Sequence, residues 1–189
     1  MTEPTPRLAA PHREVGGLAL LLQELHAGGA RLLSEVQRQW PEALTWVEDG
    51  YLRAVYGALG PVITPGPRGL AFLDLPPHAG LSAQGATTQA ALRLTVLEIL
   101  RRGYRIEFVS GRYLRVLDPQ GKEHLLVIRV AQGPPKAATV ANLIRAHRKT
   151  FQRTRGRLIL VVRHPELYRY QMTRQPLLEV WGLELPGVQ

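Results

Sequence analysis

The sequence predicts an α+β protein in two parts, and three observations carry that expectation. Helically spaced apolar residues dominate the first sixty positions, whereas residues 104–163 break into short apolar runs separated by turns. Within that later stretch, three β-segments are followed by a helix and a fully apolar strand, the order of a mixed sheet with one crossover. Charge also changes sign along the chain. Residues 1–87 hold 6 Lys/Arg against 8 Asp/Glu, a balance of −2, and residues 88–189 hold 18 against 7, a balance of +11; together they make the net +9.

In chain order, residues 1–13 are proline-rich and aperiodic, which predicts a flexible tail. Leu18, Leu21, Leu22 and Leu25 mark a first helix that Gly28-Gly29 stops. Leu32, Leu33, Val36 and Trp40 repeat the pattern in a second helix, closed by Pro41. Trp46, Val47, Leu52, Val55, Tyr56 and Leu59 predict a third, over Thr45–Leu59. Val62-Ile63-Thr64 and Leu70–Leu75 then flank Pro65-Gly66-Pro67-Arg68-Gly69, which reads as a hairpin. Residues 76–88 are small and polar and read as a linker.

Beyond it, Leu92, Val96, Ile99 and Leu100 predict a helix over Thr88–Arg102, with Gly103 as its stop. Strands follow at Arg105–Val109, Arg112–Leu117 and His124–Val130, the last after an Asp118-Pro119-Gln120-Gly121 turn. Gly133-Pro134-Pro135 interrupts the chain before a helix over Ala137–Gln152 and a strand over Leu158–Val162. Tyr168-Arg169-Tyr170 reads as half-buried helix surface, and Leu177–Leu185 as a final strand.

The helix over Ala137–Gln152 carries the strongest binding signal. Val140, Ile144, His147 and Phe151 share one face at spacings of 4, 3 and 4, turned toward the sheet. Arg145, Arg148 and Lys149 lie away from it, and Arg153, Arg155 and Arg157 crowd the turn into the next strand. No acidic residue occurs between Ala137 and Arg157. A solvated helix normally mixes signs to form i,i+4 pairs; unpaired cations of this density fit a phosphate backbone. These six are the C-terminal candidates for nucleic-acid contact.

Other chemistries find no pattern. With no cysteine, disulfides, thiol catalysis and thiolate ligands are excluded. The six histidines do not fall at metal-ligand spacings, and neither a phosphate-binding loop nor a nucleophile elbow is present. No cofactor is expected. No apolar run approaches a membrane span, and the first residues lack the apolar core of a signal peptide, so a cytoplasmic protein without a membrane partner is expected.

Three helices followed by a Gly/Pro-rich hairpin resemble a winged helix-turn-helix over residues 14–75. The resemblance implies a third helix directed at the DNA major groove, which nominates Arg53 on that helix and Arg68 on the wing. Glu42, Glu48 and Asp49 around the helix start oppose phosphate contact, so docking or homodimerisation is an alternative role. Residues 88–185 resemble the PD-(D/E)XK nuclease-like fold. That family brings an Asp from one strand and an acidic-x-Lys trio from the next to a divalent metal. Here Ile128 and Val130 stand where the carboxylate and Lys belong. The combination resembles plasmid replication-relaxation type bacterial DNA-binding proteins, and implies a non-enzymatic partner of duplex or tailed DNA in regulation, plasmid maintenance or repair. The alternatives are a divergent nuclease using Glu98, Glu107, Asp118 and Glu123, and a protein-interaction module.

Overall fold

The computed structural model describes residues 11–130 and 136–183. Its first helix, α1 (Pro11–Gly28), buries Leu18, Leu21, Leu22 and Leu25 along one stripe and gives way to Gly29, held at a φ of 79°. A two-residue strand β1 (Arg31–Leu32) leads into α2 (Leu33–Gln39) and α3 (Ala43–Glu48). Two longer strands, β2 (Leu52–Gly57) and β3 (Gly60–Pro65), follow, and then a short helix, α4 (Pro67–Phe72). The strands form an antiparallel sheet in the order β1–β3–β2.

This part departs from expectation in three places. Pro11 already begins α1, so the expected tail of residues 1–13 is cut back; residues 1–10 lie outside the described residues. The expected third helix over Thr45–Leu59 is a six-residue helix followed by a strand. Gly50, at a φ of 77°, turns the chain, and from Leu52 the side chains alternate: Leu52 and Ala54 meet the helices and Val55 the opposite side. The hairpin is consequently β2–β3, joined through Ala58-Leu59, with Gly57 paired to Gly60. The Pro65–Gly69 stretch is not its loop. Pro67 occupies the first turn of α4, where its missing N–H has no helical partner to lose.

A long helix, α5 (Ala83–Arg101), begins where Ser82 accepts a hydrogen bond from the Gly85 N–H at 3.1 Å. It takes in residues 83–88 of the expected linker and starts five residues before the expected Thr88. Ala86 and Thr87 are buried, because Gly57 of β2 allows the helix so close that a Cβ there would strike Thr87 Oγ1.

The second sheet has five strands: β4 (Arg105–Ser110), β5 (Tyr113–Leu117), β6 (Glu123–Ile128), β7 (Leu158–Val162) and β8 (Leu178–Gly182), in that order. The first three are antiparallel; β6, β7 and β8 run parallel, with α6 (Ala137–Ala146) and α7 (Arg148–Thr154) between β6 and β7. The single expected helix over Ala137–Gln152 is therefore two, divided at His147. The 133–135 break lies outside the described residues, as does the end of the expected Leu177–Leu185 strand; the expected third strand stops at Ile128 rather than Val130. Before β8 lies α8 (Arg169–Arg174); of the two tyrosines at its start, Tyr168 is buried and Tyr170 exposed.

Layering follows from side-chain alternation. One face of the small sheet, with Leu52 and Ile63, packs on α1–α3; its other face, with Leu32 and Val62, packs on α5. On its far side α5 meets Leu114, Leu126, Ile128, Ile159 and Trp181 of the large sheet, so one apolar cluster contains side chains from both sheets. The opposite face of the large sheet, Val127, Leu158, Leu160 and Val162, packs on Val140, Ile144 and Phe151 of α6 and α7. All five β7 residues are buried, as a strand covered on both faces requires.

Candidate nucleic-acid interface

Helix α7 is positioned by its junctions. Phe151 anchors its inner face, and Thr154 Oγ1 donates to the Glu123 carbonyl at 3.2 Å and to the Thr150 carbonyl at 2.9 Å. Gly156 then passes against β6 so closely that a Cβ would overlap the Glu123 carbonyl oxygen. Between them Arg155 closes the helix in the left-handed region at a φ of 55°. That conformation disfavours any side chain by about 1–2 kcal/mol, and glycine is its usual occupant.

With the inner face held, the cations of α7 turn outward. Arg148, Lys149, Arg153 and Arg155 are exposed, and no described residue forms an ion pair or hydrogen bond with their side chains. Lys149 and Arg153 stand one turn apart, a like-charge i,i+4 pair that destabilises a helix by a few tenths of a kcal/mol, roughly 0.2–0.5. The other two C-terminal candidates are engaged. Arg145 donates to Asn142 Oδ1 at 3.1 Å, and Arg157 lies 3.7 Å from Glu179 Oε2.

The N-terminal candidates stand differently. Arg53 is on strand β2, not on a helix, and donates to the Leu81 carbonyl, which ties the small sheet to the segment before α5. Arg68 is on α4, not on a hairpin loop; it donates to the Asp49 carbonyl at 3.0 Å and to the Tyr51 hydroxyl at 3.2 Å, with its guanidinium 4.5 Å from the Tyr51 ring. The exposed residues of α3 are Leu44, Thr45 and Glu48, none of them cationic.

The four carboxylates considered for a metal site go to separate tasks. Hydrogen bonds from Arg101, opposed by burial and reinforced by Arg102, hold Glu98 down at about 2. Glu107 pairs with Arg105 at 2.7 Å, and Glu123 lies 3.9 Å from Arg115. Asp118 organises its turn: Oδ1 accepts the N–H groups of Gln120 and Lys122 at 2.9 and 2.8 Å, and Oδ2 lies 3.2 Å from His124 Nε2. Burial pushes its carboxyl up, but the bonds from Lys122, His124 and Gln120 outweigh that and leave it below its ordinary value. Among the described residues no three His, Asp or Glu side chains converge as a metal site would need. Ile128 and Val130 are 3% and 4% exposed, in the cluster against α5.

Sequence reasoning missed a cleft beside α7. Helices α6 and α7 cover β6–β8 but leave the β4–β5 hairpin overhanging, and a cavity of about 480 Å³ opens beneath it. Phe108, Tyr113 and Arg115 come from the hairpin, Glu123 from β6, and His147 and Thr150 from the helix side. The expected core-facing His147 is half-buried at its wall. No sequence signal marked the cleft: β4 carries a single aromatic, Phe108, and its exposure is visible only in the structure.

No family model, curated protein or solved structure matches this chain. No helix among the described residues is long and apolar enough to cross a membrane.

Proposed function

We propose that this protein binds DNA without cutting it, through the outer face of α7 and its exit into β7. The observation that carries the reading is the set of four exposed cations, Arg148, Lys149, Arg153 and Arg155, with no partner among the described residues. One of them occupies a left-handed position where glycine would be more stable. Phosphates would relieve the mutual repulsion and release counterions, which is the driving force of backbone binding. Such contacts position a protein without reading sequence.

Element order supports the architecture behind this reading. Helix, strand, two helices and a hairpin, with sheet order β1–β3–β2, suit a winged helix; α5, three antiparallel strands, a helical crossover and a parallel strand suit a PD-(D/E)XK-like core. Buried Ile128 and Val130 at the expected ligand positions favour a non-catalytic role.

Fluorescence anisotropy against blunt duplexes of unrelated sequence tests the proposal. Affinities should agree between sequences and fall linearly on a log–log salt plot, with a slope near 0.9 per phosphate contact, roughly three to four in all. Absence of binding at low salt, or metal-dependent nicking of supercoiled plasmid that Asp118→Ala abolishes, would overturn it.

A further inference from the structure

The cleft beside α7 lies next to the proposed phosphate-binding face, and its lining is unlike that of a void in a core. Its construction starts with an irregularity in β4. Ile106 pairs with Val116, but Phe108 pairs with Arg115, so Glu107 is an extra residue, a β-bulge. In a regular strand Ile106 and Phe108 would share a face, because side chains alternate with period two. The bulge shifts the alternation by one: Ile106 packs toward α5, and Phe108 turns to the other face, into the cleft, where it remains 54% exposed. Bulges commonly re-aim a side chain beside a functional site, and burial does not explain this one.

Around Phe108 the cleft offers what a planar heterocycle needs. Phe108 and Tyr113 supply aromatic faces, and the Arg115 guanidinium lies 5.9 Å from the Phe108 ring centroid. Glu123 supplies a hydrogen-bond acceptor and Thr150 a hydroxyl at the opposite wall. At about 480 Å³ the space admits one base with room for solvent. Charge complementarity selects the occupant: the wall helix α7 carries Arg148, Lys149 and Arg153 on its outer side, so a strand whose phosphates follow those cations could lower a base past Thr150.

We infer that this cleft receives one unpaired base of a DNA strand, stacked on Phe108, with Glu123 accepting a hydrogen bond from an exocyclic amine. The inference rests on the α7 reading and specifies its substrate: DNA with a single-stranded segment. Stacking of a base on an aromatic side chain is worth roughly 1–3 kcal/mol by alanine substitution, which corresponds to about a 5- to 150-fold change in affinity. A carboxylate acceptor favours the N4 amine of cytosine over thymine, which has no exocyclic amine.

The experiment compares three probes on the full chain: a blunt duplex, the same duplex with a short cytidine tail, and that duplex with an abasic tail of equal length. The abasic tail retains every phosphate and removes every base. The cytidine tail should bind roughly 10-fold tighter than the abasic one. Phe108→Ala should abolish that ratio and Phe108→Trp should keep it; Glu123→Gln should narrow the preference for a cytidine over a thymidine tail. Equal binding of cytidine and abasic tails, or a ratio that survives Phe108→Ala, would overturn the inference. Blunt-duplex affinity reports on the α7 cations separately: blunt binding with no tail preference sinks the base pocket alone, and no binding to any probe sinks the α7 reading itself. Should Phe108→Ala unfold, Phe108→Leu keeps the apolar volume without the aromatic face and must lose the ratio.

Discussion

The small sheet and the α7 region of this protein treat their cations in opposite ways. Around the small sheet each arginine between residues 16 and 87 is engaged: Arg31 with Glu24 at 2.9 Å, Arg38 with the Ser34 carbonyl at 3.2 Å, Arg53 with the Leu81 carbonyl and Arg68 with the Asp49 carbonyl. These are structural cations, whose guanidiniums satisfy loop carbonyls that would otherwise depend on solvent. Around the large sheet the arginines near α5 are likewise paired, with Glu98 and Glu35. On α7 and its C-cap, Arg148, Lys149, Arg153 and Arg155 stand without partners among the described residues. The difference teaches that net charge alone is a poor guide to a polyanion site. The informative quantity is charge left over after internal pairing, and here four such cations fall within eight residues, Arg148 to Arg155.

That contrast can be broken most directly by moving charge. Replacing Arg148, Arg153 and Arg155 together with Ala should weaken duplex binding by roughly 100-fold at moderate salt and flatten the log–log slope by about three. Arg53→Ala and Arg68→Ala should each leave the slope unchanged. If instead the triple variant binds normally and Arg53→Ala does not, the small sheet holds the interface.

The positioning of α7 provides the next test. Gly156→Ala drives a Cβ into the Glu123 carbonyl, so the α7–β7 junction must shift. A loss of about 2–4 kcal/mol in urea unfolding is expected, with weaker DNA binding through the displaced helix. Arg155→Gly sharpens the comparison by separating stability from binding. Removing a side chain from the left-handed region should stabilise the fold by about 0.5–1 kcal/mol while lowering DNA affinity. A variant that loses stability would mean that Arg155 is a structural residue after all.

The smallest effect concerns a partnered cation cluster, Glu98 with Arg101 and Arg102. The folded carboxyl sits at about 2, below its ordinary 4.5, so its stabilising effect is full above pH 4.5 and fades as pH falls toward 2. Because the Arg101 and Arg102 side chains are 66% and 37% exposed and so screened by solvent, the effect should stay below about 1 kcal/mol. Urea midpoints of the wild type and Glu98→Gln should differ at pH 7 and converge only as pH falls to about 2. A difference that persists in acid would assign Glu98 some role other than the charge pair.

Much of this architecture was written locally. Leu158–Val162 needed only its unbroken apolar run to be read as a buried strand, and Leu18, Leu21, Leu22 and Leu25 needed only their spacing to be read as a helix. The apolar identity of Ile128 and Val130 and the absence of acid between 137 and 157 are likewise legible in the residues themselves. Leu52–Gly57 was not. Its apolar residues fit both periods, and what made it a strand was pairing with Gly60–Pro65 after a glycine turn at Gly50. The expected linker failed for a related reason: alanines and threonines at 83–88 look like connecting chain until a sheet with a glycine at position 57 lies against them.

By itself, then, the sequence determined the α+β class and the location of excess positive charge, because each depends on side-chain identity and short-range period. Only the tertiary structure decided which cations remain free, since a partner such as Leu81 for Arg53 or Glu179 for Arg157 arrives from more than twenty residues away. It alone revealed the cleft as well: a bulge is defined by the strand opposite, and Phe108 turns outward only because β5 pairs across Glu107 out of step.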